Sequence, residues 1–74
     1  MRCEGLVLRT AVAAGSKSER EAVVLRTADG DYVLRFAGGP AFADPRLDAL
    51  VGRRIRADGD VSAGTLIVRT FDEL

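Results

Sequence analysis

The sequence predicts one all-β domain over residues 1–74: a five-stranded antiparallel barrel with a short α-helix between the third and fourth strands. Three observations carry this expectation. Apolar and polar residues alternate with a period of two in successive stretches, the mark of half-buried antiparallel strands. Glycine-bearing turns join those stretches into hairpins. A single helix-start signal, Asp44-Pro45, interrupts the series. The length, 74 residues, suits one core rather than two. With a lone cysteine there is no disulfide to staple the chain, so a closed barrel or oligomerisation must supply the burial.

The first strand is expected from about Gly5 to Val12, followed by a polar loop from Ala13 to Arg20. Asp29-Gly30 then lies between two β-rich runs, Ala22 to Thr27 and Asp31 to Phe36. Asp-Gly suits the positive φ angles of a type I′ hairpin turn. In the second strand Val23 and Leu25 share one side, and Ala22, Val24 and Arg26 the other. In the third, Tyr32, Leu34 and Phe36 oppose Val33 and Arg35. Gly38-Gly39-Pro40 is a connector. The helix begins with Asp44 as N-cap and Pro45 in its first turn, buries a stripe of Leu47, Leu50 and Val51, and ends at Gly52. So short a helix must pack on something, and the barrel end is the expected partner.

The fourth strand, Arg54 to Val61, sets Ile55, Ala57 and Val61 against Arg54, Arg56 and Asp58. Ser62-Ala63-Gly64 turns it into the fifth, Thr65 to Phe71. Gly5 and Gly59 fall inside strands, where glycine marks the bends that a small barrel needs to close.

In this order of elements, and in the stretch Leu50-Val51-Gly52-Arg53-Arg54-Ile55-Arg56-Ala57-Asp58-Gly59-Asp60-Val61, the chain resembles OB-fold domains. That stretch is similar to the helix-to-fourth-strand passage of bacterial OB-fold proteins, with a Leu-x-Gly-x-x-Ile-x-x-x-Gly-x-Val pattern. The resemblance covers essentially the whole chain and extends to small bacterial proteins of this build. It implies an OB-like barrel and carries no activity, because this fold hosts oligonucleotide, oligosaccharide and protein ligands alike.

Several kinds of chemistry lack their residues. With no histidine there is no Ser-His-Asp triad and no histidine metal site. Cys3 alone makes neither a zinc nor a redox Cys-x-x-Cys motif. Asp58 and Asp60 flank Gly59, but solvated carboxylates beside basic neighbours explain them. The expectation is a protein that is not an enzyme, with no catalytic residue, cofactor or metal. The longest apolar runs fall far below the ~20 residues of a membrane span. With no signal-peptide pattern and one cysteine, a cytoplasmic location is expected.

Charge is balanced at eleven basic and eleven acidic residues, and ten of the basic ones are arginine. A high-GC genome encodes such a composition, and the bidentate guanidinium offers a functional alternative. Arg9, Arg26, Arg35, Arg54, Arg56 and Arg69 fall across all five expected strands and are assigned to the outside, among outward Val7, Val24, Val33 and Ile67. An apolar surface set with arginine suits a protein partner or a homodimer. The alternative is weak, sequence-tolerant single-stranded nucleic-acid binding, with Arg26 and Arg35 as phosphate contacts. A nucleic-acid binder usually combines a basic excess with stacking aromatics. Here net charge is zero, Tyr32 and Phe36 are expected inside, and Phe42 is expected to cover a barrel end.

The alternation makes one direct prediction. Leu34→Asp should bury an unpaired charge and cost ~3 kcal/mol or more, a large share of the stability of a small domain. A thermal melt of this variant is expected to show loss of the folded state; a melt like that of the parent chain would reverse the assignment of sides.

Overall fold

The first strand, β1 (Arg2–Val12), takes part in two ladders. Its first half, Arg2 to Leu6, pairs with β4 (Arg54–Ser62), and its second half, Leu6 to Val12, pairs with β2 (Arg20–Thr27). The structure, a computed structural model, describes residues 1–12, 20–40 and 44–74, with only the backbone of Val12 and Arg20. The polar loop expected after β1 and the cover expected from Phe42 lie outside the described residues.

The remaining elements are β3 (Gly30–Phe36), α1 (Pro45–Asp48) and β5 (Thr65–Glu73). The strands close into a barrel in the order β1-β2-β3-β5-β4. Strand directions alternate between neighbours, except that β3 and β5 run parallel. A ring with an odd number of strands cannot alternate throughout, so one parallel pair is a condition of closure. Short hairpins make β1–β2, β2–β3 and β4–β5 antiparallel, and the parallel pair falls between β3 and β5, whose connection carries α1 and β4.

β1 begins three residues before its expected start, at Arg2 rather than Gly5. Those residues are held by the β4 ladder, in which Arg2 faces Asp58 and Glu4 faces Arg56. β1 bends at Gly5, where a Cβ would collide with the carbonyl oxygen of Arg26. Gly59 plays the same part in β4. The β4–β5 register shifts between Asp58 and Gly59, and a Cβ there would meet the Ile67 carbonyl.

Cys3, Val7, Val23, Leu25, Leu34, Phe36, Ile55, Ala57, Leu66 and Val68 fill the interior, and Leu47 and Leu50 join them. The expected sides of β2, β3 and β4 hold, apart from Val61, which is exposed, and Tyr32 packs against the core edge. The side expected for Val7 does not hold. Val7 is fully buried inside, and Arg9, on the same side, lies past the end of the core. Leu6, Val7 and Leu8 are apolar in succession, so alternation alone cannot assign a side to this strand.

Two turns differ from expectation in detail. Thr27 pairs with Gly30, so the turn residues are Ala28 and Asp29, and neither has a positive φ. Gly30 alone takes φ +128°. The Thr27 hydroxyl organises this corner, accepting from the Asp29 N–H and donating to the Gly30 carbonyl, which favours this turn over a type I′ one. In the second hairpin Ser62 pairs with Thr65, and Ala63 and Gly64 both have positive φ.

The helix is shorter than its pattern. After Ala49 the bonds tighten to Leu50 N–H on the Leu47 carbonyl and Val51 N–H on the Asp48 carbonyl. That rotation leaves Val51 exposed, so the buried stripe is Leu47 and Leu50 alone. Gly52, at φ +90°, reverses the chain, and its N–H donates to the Val7 carbonyl.

Gly5→Ala should destabilise the barrel by ~1–3 kcal/mol, because the added methyl group meets backbone rather than a movable side chain. Urea denaturation is expected to show a lowered midpoint; an unchanged midpoint would mean that the Arg26 backbone does not lie this close to residue 5.

Candidate functional site

The arginines named above come from strands whose outward positions face water, and the structure places them around the ring rather than in one cluster. Arg26 of β2 and Asp31 of β3 are direct cross-strand neighbours. Arg26 Nε and Nη2 donate to the two carboxylate oxygens at 3.0 and 3.1 Å, and these hydrogen bonds hold the Asp31 carboxyl below its usual range. Arg56 lies 3.4 Å from Glu4, and Arg69 3.6 Å from Asp60. Arg9 donates to Asp48 at the end of α1. Four of the six arginines are therefore balanced by a carboxylate. These exposed pairs add little stability, since water screens them. Their consequence is electrostatic: they reduce the positive potential that the arginines alone would create.

Arg35 and Arg54 differ. Arg35, half-buried on β3, makes one long bond, from Nε to the Gly39 carbonyl at 3.4 Å. Among the described residues no carboxylate forms an ion pair with Arg35 or Arg54. Arg54 flanks Leu6 on the β4 side, as Arg26 does on the β2 side. Arg26 and Arg35 are not adjacent. Arg26 sits beside Asp31, and Arg35 is about four residues, or ~13 Å, further along β3.

Between them runs an apolar row. Leu8, Val24 and Val33 are successive cross-strand neighbours on the outside of β1, β2 and β3, with Thr65 of β5 next in line. Ile67 stands beside Arg35. Leu8, Val33 and Ile67 are half-buried. Val24 is on the expected outer side yet only 1% exposed, and Ala22, on the same side of β2, is 7% exposed. None of the described aromatic rings belongs to this row: Phe36 is in the core, Tyr32 packs against it, and Phe71 lies 5.6 Å from Phe36 between ring centres.

Sequence reasoning did not single out Arg46. It stands next to Pro45 in the first turn of α1. Asp44, only 4% exposed, caps the helix by accepting from the Arg46 N–H at 3.0 Å. The same carboxylate accepts from Arg46 Nε at 3.1 Å and Nη2 at 2.8 Å. The guanidinium lies 4.4 Å from the centre of the Phe36 ring. Gly39 lies under this clasp, where a Cβ would come within 2.7 Å of Arg46 Nη2. Asp44 and Arg46 bind α1 to the barrel, and with both charged groups mutually satisfied the clasp is structural. The spacing Asp-x-Arg around a proline is the only sequence signal for it.

Two polar clefts are lined by described residues. Arg2, Arg56, Asp58, Thr70, Phe71 and Asp72 line one, and Gly52, Arg53, Arg54, Glu73 and Leu74 the other. Both mix charges of opposite sign. Among the described residues no three cysteine, aspartate or glutamate side chains come together as metal ligands, and no helix is long and apolar enough to cross a membrane. Cys3 is buried opposite Ala57. No family model, curated protein or solved structure matches the chain.

The clasp predicts an acid dependence. Hydrogen bonds from Arg46 lower the Asp44 carboxyl below its usual 3.8, against the opposing effect of burial. A carboxyl lowered in the folded state stabilises fully above its unfolded value and loses that contribution as pH falls through the folded one. Asp44→Asn should therefore be less stable than the parent chain at neutral pH, and the gap should close below about pH 3.8. Paired thermal melts from pH 7 to 2 check this; a gap constant with pH would remove the charge from the argument.

Proposed function

We propose that this chain is a non-enzymatic binding module, an OB-type barrel that works by protein–protein contact, with self-association as the simplest form. The observation that carries the reading is the outer row of Leu8, Val24 and Val33, with Arg26, Asp31 and Arg35 at its margins. Leu8 and Val33 are partly exposed in that row, and apolar side chains set among arginines are the usual make-up of a protein interface. The alternative is sequence-tolerant binding of single-stranded nucleic acid through Arg26 and Arg35. Two features weigh against it: Arg26 is engaged by Asp31, and the described aromatic rings lie off this face.

Sedimentation equilibrium over a wide concentration range is expected to show a weight-average mass that rises with concentration. Fluorescence anisotropy of a labelled oligonucleotide is expected to show no binding at tens of micromolar protein in low salt. Binding that weakens with salt at a log–log slope of ~0.7 per phosphate, and a slope reduced by ~1.4 on changing Arg26 and Arg35 to Ala, would overturn the reading in favour of nucleic acid.

A further inference from the structure

We infer that the outer face of β3 packs on a second copy of this chain about a two-fold axis over Val33, with Asp31 of each copy against Arg35 of the other. The inference rests on the reading of this face as a protein contact surface, and it names the partner and the register.

The order of side chains along β3 carries the argument. Its outward positions are Asp31, Val33 and Arg35: negative, apolar, positive. In face-to-face packing of two identical sheets, the symmetry axis lies in the plane between them. An axis perpendicular to β3 and passing over Val33 reverses the strand direction in the second copy. Val33 then faces its own counterpart, Asp31 faces Arg35 of the partner subunit, and Arg35 faces the partner's Asp31. Val24 is only 1% exposed and the closed ring turns β2 and β1 away from this plane, so the contact is centred on β3, with Val33 on the axis. This is the self-complementarity that an isologous two-fold contact requires.

The electrostatics of each group agree. Asp31 accepts two hydrogen bonds from Arg26, and a carboxylate has about four acceptor sites, so it has room for a further donor. Among the described residues Arg35 donates only to the Gly39 carbonyl, and its fork has further donors that suit a carboxylate. Eleven basic and eleven acidic residues leave no net charge to drive two copies apart. The closed ring gives every strand two neighbours, which directs association to a face rather than to an edge.

The test is a charge-reversal cycle read by sedimentation equilibrium, with circular dichroism and melts confirming that each variant is folded. Arg35→Asp alone sets two acidic pairs against each other, and Asp31→Arg alone sets two basic pairs. Each is expected to weaken association at least tenfold. Asp31→Arg combined with Arg35→Asp restores opposite charges across the axis and is expected to recover most of the loss. Association of the parent chain that is indifferent to both single reversals, or single losses that the combined variant fails to recover, overturns this face and register and leaves self-association standing. A parent chain that stays monomeric throughout overturns self-association itself, and this inference with it.

Discussion

β1 has to serve two ladders that lie on different sides of the ring, and it does so by bending where Leu6 pairs with Arg54 on one edge and Arg26 on the other. The bend needs a residue with no side chain, since the Arg26 carbonyl occupies the place where the Cβ of residue 5 would be. A side chain at this position would push the β2 backbone away from β1. Closure then fixes the relative directions of the strands. Five strands cannot all be antiparallel to their neighbours, and the parallel contact falls between β3 and β5, which are joined through α1 and β4 rather than by a hairpin. Gly59 provides the matching kink in β4, so both partners of the β1–β4 ladder contain a glycine that backbone contact makes necessary.

The end of the barrel is finished by α1, a helix too short to persist alone. It is held at several points of different character. Leu47 and Leu50 enter the core, the Asp44–Arg46 clasp sits against Phe36, and Arg9 reaches across to Asp48. The hydrophobic contacts supply the adhesion. The charged groups orient the helix, because a bidentate pair accepts only a narrow range of geometries. Arg9 is thereby a residue of the barrel end, although the strand that carries it also supplies the outer apolar row.

The pairing of acidic and basic residues outside the barrel decides what the surface can do. Arginines in every strand would otherwise give an unselective attraction for polyanions. With Asp31, Glu4, Asp60 and Asp48 beside four of them, the long-range field is weak and contacts must be made at short range, by shape and by matched charges. That favours a partner with ordered side chains over a flexible polyanion. It also gives weight to the order of residues along a single strand, which long-range attraction would ignore.

Much of this architecture is legible in the chain. Alternation in β3 and β4 assigns their sides, since each has apolar residues mainly on one parity, and Asp44-Pro45 marks the helix start. Gly5 and Gly59 announce bends before any fold is known. Three features were decided elsewhere. The side of β1 was open because Leu6, Val7 and Leu8 are all apolar; pairing with β2 and β4 places Val7 inside. The end of α1 was set by the tightening after Ala49, which turns Val51 outward against its periodicity. The arginines were visible as residues but not as charges, because the partner that balances each of the four paired ones comes from another strand or, for Arg9, from the helix. Local pattern specifies which side of a strand is apolar wherever one parity dominates. Which neighbour meets which, and so which charges remain to bind a partner, depends on ladder register, and that exists only once the ring has closed.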